Sequence, residues 1–392
     1  MKIDLNKSSS LAAKAKYKVP FGTVSITQKA RYLIDRALEE KWVTRGKYVQ
    51  EFEEKFAQIF GVKEAIAVSS GTDADAIGLS VLYDFGAKRG DEIIVPALSF
   101  VATGNAVLQA GFKPVFVDVN RETLNINPDE IEKAVTPQTR GILPVHLMGK
   151  PAEMNKIQAI ARKYKFFIIE DAAEAHGAEY YGKKIGTLGD MAAFSLYAAH
   201  IITTIEGGMI ITNNFQMADA ARSLRNHGIV NKFEFRRIGF SAKMNEIEAA
   251  VGLGNIEIFK EILEKRRRNL LYLIKKFERF GEFFITIKEE PHEKIGPHAF
   301  SMIIRESMPF TKDEFADYLD KAGIDSRNLF YSIPTQCPGY AFLGYQWGDF
   351  PEAEYCSDHG LHIGIHQDIE LAQLDYVALV VENFLKLKKL SC

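Results

Sequence analysis

Between Ile26 and Phe60 the apolar positions recur at helical spacing, first Ala30, Leu33, Ile34 and Leu38, then Phe52, Phe56, Ile59 and Phe60. They predict two helices, the second stopped by Gly61. The pattern then alternates. Short, continuously apolar runs at 65–68, 92–95, 114–117, 141–145 and 166–169 are separated by helical stretches at 74–82, 102–110 and 152–164. Strands apolar on both faces require a mainly parallel sheet covered by helices on each side, and such sheets take ligands at the carboxyl ends of their strands. Further strands are expected at 191–196 and 208–212. After Glu246 a long helical pattern runs to about Phe280, and its basic stretch Lys265-Arg266-Arg267-Arg268 reads as the solvated face of a connecting helix. An apolar run at 299–304 and a helix over 312–321 predict a smaller α+β domain. The expected organisation is a tail over 1–20, a large domain over 21–250 and a small domain, with its connecting helix, over 251–392.

Composition narrows the class. The 392 residues are 47% apolar, and 49 Lys+Arg against 51 Asp+Glu give a net charge of −2. That balance supplies no field to hold a phosphate backbone, so nucleic acid is not an expected partner. No apolar run approaches the roughly 20 residues of a membrane span. The polar, lysine-dotted start lacks the apolar core of a secretory signal. Cys337, Cys356 and Cys392 are too few and too scattered for a disulfide framework or a four-thiolate cluster. The expectation is a soluble cytoplasmic protein.

Four segments can carry chemistry. Ser69-Ser70-Gly71-Thr72 follows a predicted strand and opens a helix, where free amides suit a phosphate. Glu170-Asp171 ends a strand in carboxylates, one of which can hold a protonated ring nitrogen. Ser195 and His200 lie between two predicted strands, followed by the tight turn Glu206-Gly207-Gly208. Gly182, Gly186 and Gly189 are spaced as turns rather than as a dinucleotide fingerprint, and His359, His362 and His366 read as strand and turn rather than as metal ligands.

With the stretch Pro96–Thr103, Phe194-Ser195-Leu196-Tyr197 and Leu224-Arg225-Asn226-His227-Gly228, these motifs occur in one order that resembles the DegT/StrS family of nucleotide-sugar aminotransferases. The resemblance implies the aspartate-aminotransferase-like fold of the type I enzymes that use pyridoxal phosphate (PLP), an α/β fold with a large mixed, mainly parallel sheet. It also implies a homodimer. Carried over residue by residue, Gly71 and Thr72 would bind the cofactor phosphate through their amides and Ser195 through its hydroxyl. Phe100 would stack on the pyridine ring, Asp171 would keep its nitrogen protonated, and Glu174 would lie near the ring hydroxyl. Ser241 falls where the neighbouring subunit usually offers Asn to the phosphate. Arg225, His227 and Arg327 would meet the sugar, the co-substrate carboxylate or the nucleotide.

The departure is His200, which falls where the aminotransferases have the lysine that bonds to the cofactor. An imidazole cannot form a Schiff base, but its ordinary pKa near 6.5 suits general acid/base work. Tyr197-Ala198-Ala199-His200 resembles the sugar 3-dehydratase branch of the family. That likeness implies the pyridoxamine form (PMP), L-glutamate as amino donor and removal of the C3 hydroxyl of a nucleotide-linked 4-keto-6-deoxy sugar. Without cluster cysteines after Gly228, the closer likeness is to the iron–sulfur-free enzymes of colitose formation, which implies GDP-4-keto-6-deoxy-D-mannose. Two other readings stay open: an aminotransferase that has lost its lysine, and a PLP-fold binding protein without activity.

Overall fold

The computed structural model describes residues 17–330 and 333–390. Most of the expected N-terminal tail, residues 1–16, lies outside the described residues, as does Cys392. Val19, inside the expected tail, is buried and exchanges backbone hydrogen bonds with Gly323 and Asp325.

Helices α1 (Gln28–Glu39) and α2 (Lys47–Phe60) come first. Thr27 caps α1 by accepting the Ala30 amide, and Gly61 ends α2 in the left-handed region, φ 73°. The alternating stretch forms β1 (Glu64–Val68), α3 (Gly71–Ser80), β2 (Glu92–Pro96), α4 (Val101–Gln109), β3 (Lys113–Val117), α5 (Pro128–Lys133), β4 (Thr139–Ile142), α6 (Met154–Tyr164) and β5 (Phe167–Asp171). A hairpin, β6 (Glu179–Tyr180) and β7 (Lys183–Lys184), precedes β8 (Met191–Ser195), β9 (Gly208–Thr212) and α7 (Phe215–Arg225). A second hairpin, β10 (Ile229–Asn231) and β11 (Glu234–Phe235), leads to the long α8 (Glu246–Phe277).

Seven strands form one sheet in the order β1-β9-β8-β5-β4-β2-β3. Only β9 runs against its neighbours, because the chain returns from the carboxyl end of β8 through the irregular loop 196–207 rather than through a helical crossover. Alternate residues of each strand enter opposite cores. Ile66, Val68, Ile93 and Val95 pack on one face, and Ala65, Ala67 and Ile94 on the other. Burial on both faces is why these strands read as unbroken apolar runs.

The remaining chain forms β12 (Phe284–Thr286), β13 (Glu293–Lys294), β14 (Ala299–Ile304), α9 (Lys312–Lys321), β15 (Ser326–Asn328), α10 (Pro351–His359), β16 (Gly360–Gly364) and α11 (Leu371–Leu387). Strands β12-β14-β16-β15 make an antiparallel sheet, and β13 pairs with β6, so the two parts are joined by backbone hydrogen bonds as well as by α8. The basic stretch of α8 is not simply a solvated face, since Arg266 is 2% exposed and points inward.

Candidate active site

Four parallel strands deliver the candidate residues at their carboxyl ends. Strand β1 runs into Ser69-Ser70, and Ser70 caps α3 by accepting the Asp73 amide at 3.0 Å. Both serine hydroxyls donate to the Asp73 carboxylate at 2.7 Å, so the hydroxyls expected beside an anion are already engaged. The first-turn amides of Gly71 and Thr72 precede the helix's own hydrogen bonding and remain as donors. A Cβ on Gly71 would lie 2.9 Å from the Ser195 Cβ, and one on Gly208 would strike the Ser70 carbonyl. Glycine at both places lets the turn press against β8 and β9, which brings the amides and the Ser195 hydroxyl into one cradle. This is the shape a phosphate needs.

Strand β5 ends at Glu170 and Asp171, which part company. Glu170 is fully buried and accepts amides from Gly186, Leu188 and Gly189. His146 also bonds it: because the Ala152 amide donates to His146 Nδ1 at 3.0 Å, the proton sits on Nε2 and points at Glu170. Glu170 therefore organises the Gly186–Gly189 turn. Asp171 faces the other way and accepts the Thr103 hydroxyl at 2.8 Å and the Ala173 amide at 3.2 Å. Burial pushes its carboxyl up from the usual range, with those two hydrogen bonds holding it down. Neither of those donors is a cation, so the buried carboxylate suits a protonated ring nitrogen. Phe100, at the N-terminus of α4, is 59% exposed with its ring 6.0 Å from Phe330, an apolar face open for stacking.

Loop 196–207 carries His200. Its ring is half-buried and its Nδ1 is enclosed without a hydrogen-bond partner. The ring lies 5.0 Å from His298, 5.9 Å from His176 and 6.5 Å from Tyr197. Arg266 donates to the Ala199 carbonyl at 3.3 Å and to Gln367 at 3.0 Å. Burial, then His298 and Arg266, hold the His200 imidazole well below its ordinary pKa, so it is a neutral base at neutral pH. Glu174 accepts the Met148 amide at 2.6 Å and lies 3.4 Å from His298 Nε2. Burial pushes its carboxyl up to about 7. The sequence pattern does not single out His298 or His176, and it places Arg266 on a solvated face. The only available signal was Gly296-Pro297-His298 opening an apolar strand.

The structure does not bring every candidate to this place. Arg225 is 3% exposed and donates to Glu53 and to the Ala67 carbonyl at 2.7 Å. Its expected contact with a ligand is corrected: it neutralises a buried carboxylate beneath β1. His227 and Ser241 are both exposed; His227 sits in the turn between α7 and β10, and Ser241 makes an isolated backbone bridge to Asn226. Arg327 lies on β15 with its guanidinium 4.3 Å over Phe21, which meets His362 edge-on at 5.2 Å. The three C-terminal histidines diverge. His359 stacks on Tyr355, His362 faces Phe21, and His366 accepts the Asp368 amide.

A seven-stranded mainly parallel sheet that brings the Ser70-Gly71 turn, a buried aspartate and Ser195 to the carboxyl ends of its strands has the architecture of a type I PLP fold. The chain belongs to the DegT/DnrJ/EryC1/StrS aminotransferase family, whose pattern matches residues 24–382. It is 38% identical over 355 residues to the GDP-perosamine synthase of Caulobacter vibrioides, spanning 89% of this chain and 93% of that one. It is 31% identical over 380 residues to the GDP-4-keto-6-deoxy-D-mannose 3-dehydratase of Yersinia pseudotuberculosis, spanning 90% and 95%. The solved structure of the E. coli GDP-4-keto-6-deoxy-D-mannose-3-dehydratase with bound hydrated PLP superposes with a TM-score of 0.85 at 29% identity, covering 93% of this chain and 99% of that one. Family members are PLP-dependent enzymes that modify sugars, and PLP is the cofactor this cleft fits.

Proposed function

We propose that the chain is a PLP/PMP-dependent nucleotide-sugar 3-dehydratase that removes the C3 hydroxyl of a 4-keto-6-deoxyhexose, with GDP-4-keto-6-deoxy-D-mannose as substrate and L-glutamate as amino donor. The observation that carries this reading is an imidazole at position 200, half-buried with its Nδ1 enclosed, in the loop that directly follows Ser195. Among the described residues the buried lysine ammonium groups are engaged elsewhere, Lys150 with Glu293 and the Lys288 carbonyl, and Lys312 with the Ser357 carbonyl. In this reading Gly71, Thr72 and Ser195 hold the phosphate, Phe100 covers one ring face, and Asp171 holds the ring nitrogen as a cation. The cofactor supplies an electron sink that acidifies the adjacent C–H bond and lets the neighbouring hydroxyl leave. His200 takes that proton at Nε2, and its lowered basicity keeps it free to do so at pH 7. A second copy of the chain is proposed to complete each site through its exposed His227 and Ser241.

The test is direct. Supplied with PMP and the 4-keto-6-deoxy sugar nucleotide, the protein is expected to give a product that has lost the C3 oxygen, with ammonia released and no amino sugar formed. His200→Asn is expected to lower the rate by at least about 100-fold, the scale of losing a general base. A product bearing nitrogen at C4 would overturn the proposal.

The similarity to GDP-perosamine synthase supports a second reading, amino transfer by a protein whose lysine has become histidine. Under it, His200→Lys creates strong sugar amination and the present chain barely turns over.

A further inference from the structure

His200 solves only half of its own problem. As a free base it is ready, but once it holds a proton it is an imidazolium packed against Arg266 and two other imidazoles, with its Nδ1 enclosed and unpartnered. Such a charge needs either a counter-charge or an exit. The groups facing the cluster come from every element around it: Arg266 from α8, His298 at the start of β14, His362 from β16, His176 and Glu174 from the segment after β5. The carboxylate in contact with one of these rings is Glu174, 3.4 Å from His298 Nε2. The groups form a line: the His200 ring, the His298 ring at 5.0 Å, then the Glu174 carboxyl, which the Met148 amide anchors.

We propose that His298 and Glu174 form a proton relay that empties His200 after each proton abstraction. His298 is the positioning residue, acting through His200, and Glu174 is the store. The proposal rests on the assignment of His200 as the base and deepens it. The step balances: a proton leaves a His200 nitrogen for His298 Nδ1, and the His298 Nε2 proton passes to Glu174. The reverse transfer resets the His298 tautomer and returns a proton through His200 to the departing C3 oxygen, which leaves as water; within the relay only N–H and O–H bonds form or break. Protonated His200 and ionised Glu174 become neutral His200 and a carboxylic acid. The ring separation is within reach of one bridging water. With its carboxyl pushed up to about 7, Glu174 accepts a proton readily at neutral pH and gives it back as readily.

The experiment uses the 392-residue chain as it assembles in solution, cofactor-free and loaded. Histidine-selective carbon-13 NMR of the cofactor-free protein, with the His200 signal assigned through His200→Asn, follows the titration of His200. In His298→Gln the midpoint is expected to rise by more than half a unit, because the ring that competes for the same proton is gone. In the loaded enzyme His298→Gln is expected to lower kcat about 10-fold or more while KM for the sugar nucleotide stays within twofold. Added imidazole should restore the rate of His298→Ala in proportion to its concentration, which a structural role would not produce. An unchanged His200 midpoint together with unchanged kcat overturns the relay and leaves the dehydratase assignment standing. If the parent protein dehydrates no 4-keto sugar nucleotide while the midpoint still moves, the assignment of function fails and the proton coupling stands.

Discussion

At the scale of residues, environment decides what a given side chain can do. Glu170 and Asp171 are adjacent in sequence, yet one ties down a glycine turn and the other is left facing the cleft, since successive strand residues point to opposite faces. His200 was legible because its neighbours Ser195 and Gly207-Gly208 mark the loop. His298, nearly a hundred residues away, was not, since nothing local distinguishes it from a core histidine. Arg225 shows the reverse error. Its motif is conspicuous, but its guanidinium sits with Glu53 in the interior, and burial lowers its pKa while Glu53 raises it. Arg225→Ala is therefore expected to cost about 3–5 kcal/mol of stability, the scale of leaving a buried charge unpartnered. Urea unfolding measures this, and the little protein that remains folded should keep its KM for the sugar nucleotide.

At the scale of elements, helix α2 starts at Gly46, which offers no side-chain cap. The missing acceptor comes from the first residue of α8. Glu246, 1% exposed, accepts the amides of Gly46, Tyr48 and Val49, each at 2.9 Å. Its carboxylate also sits at the positive end of the α2 dipole. Glu246 thus holds the two helices together rather than facing solvent, which no local pattern discloses. Glu246→Gln keeps the shape but loses the charge and one acceptor, and is expected to lower stability by about 2–3 kcal/mol. A denaturant midpoint equal to the parent's would show that the three hydrogen bonds contribute nothing net. The strands themselves were legible, because a sheet buried on both faces writes unbroken apolar runs into the chain. The antiparallel sense of β9 was not, since periodicity carries no direction.

At the scale of the whole molecule, the interface between the seven-stranded sheet and the C-terminal part gathers histidines that burial keeps neutral. His298 and His362 are held down to about 3, and His176 lies well below its ordinary pKa with both nitrogens unpartnered against Phe56 and Phe194. A histidine whose folded pKa is depressed contributes stability at neutral pH that is lost as pH falls below about 6.5, because only the unfolded chain binds the proton. At pH 5 each such group costs about 2 kcal/mol relative to pH 7. His176→Phe is expected to narrow the difference in unfolding free energy between pH 7 and pH 5 by about that amount, and an unchanged difference would mean that His176 takes up its proton while folded. Among the described residues no helix is long and apolar enough to cross a membrane. By itself the sequence determined the class of sheet and the succession of its main helices and strands, and it marked the turn after β1 and the histidine of loop 196–207, because each is written in neighbours along the chain. The tertiary structure alone decided which carboxylate faces the cleft, that Arg225 is interior, and that His298 and Glu174 stand behind His200. Those facts depend on distances between segments far apart in the chain, and packing, not local pattern, sets such distances.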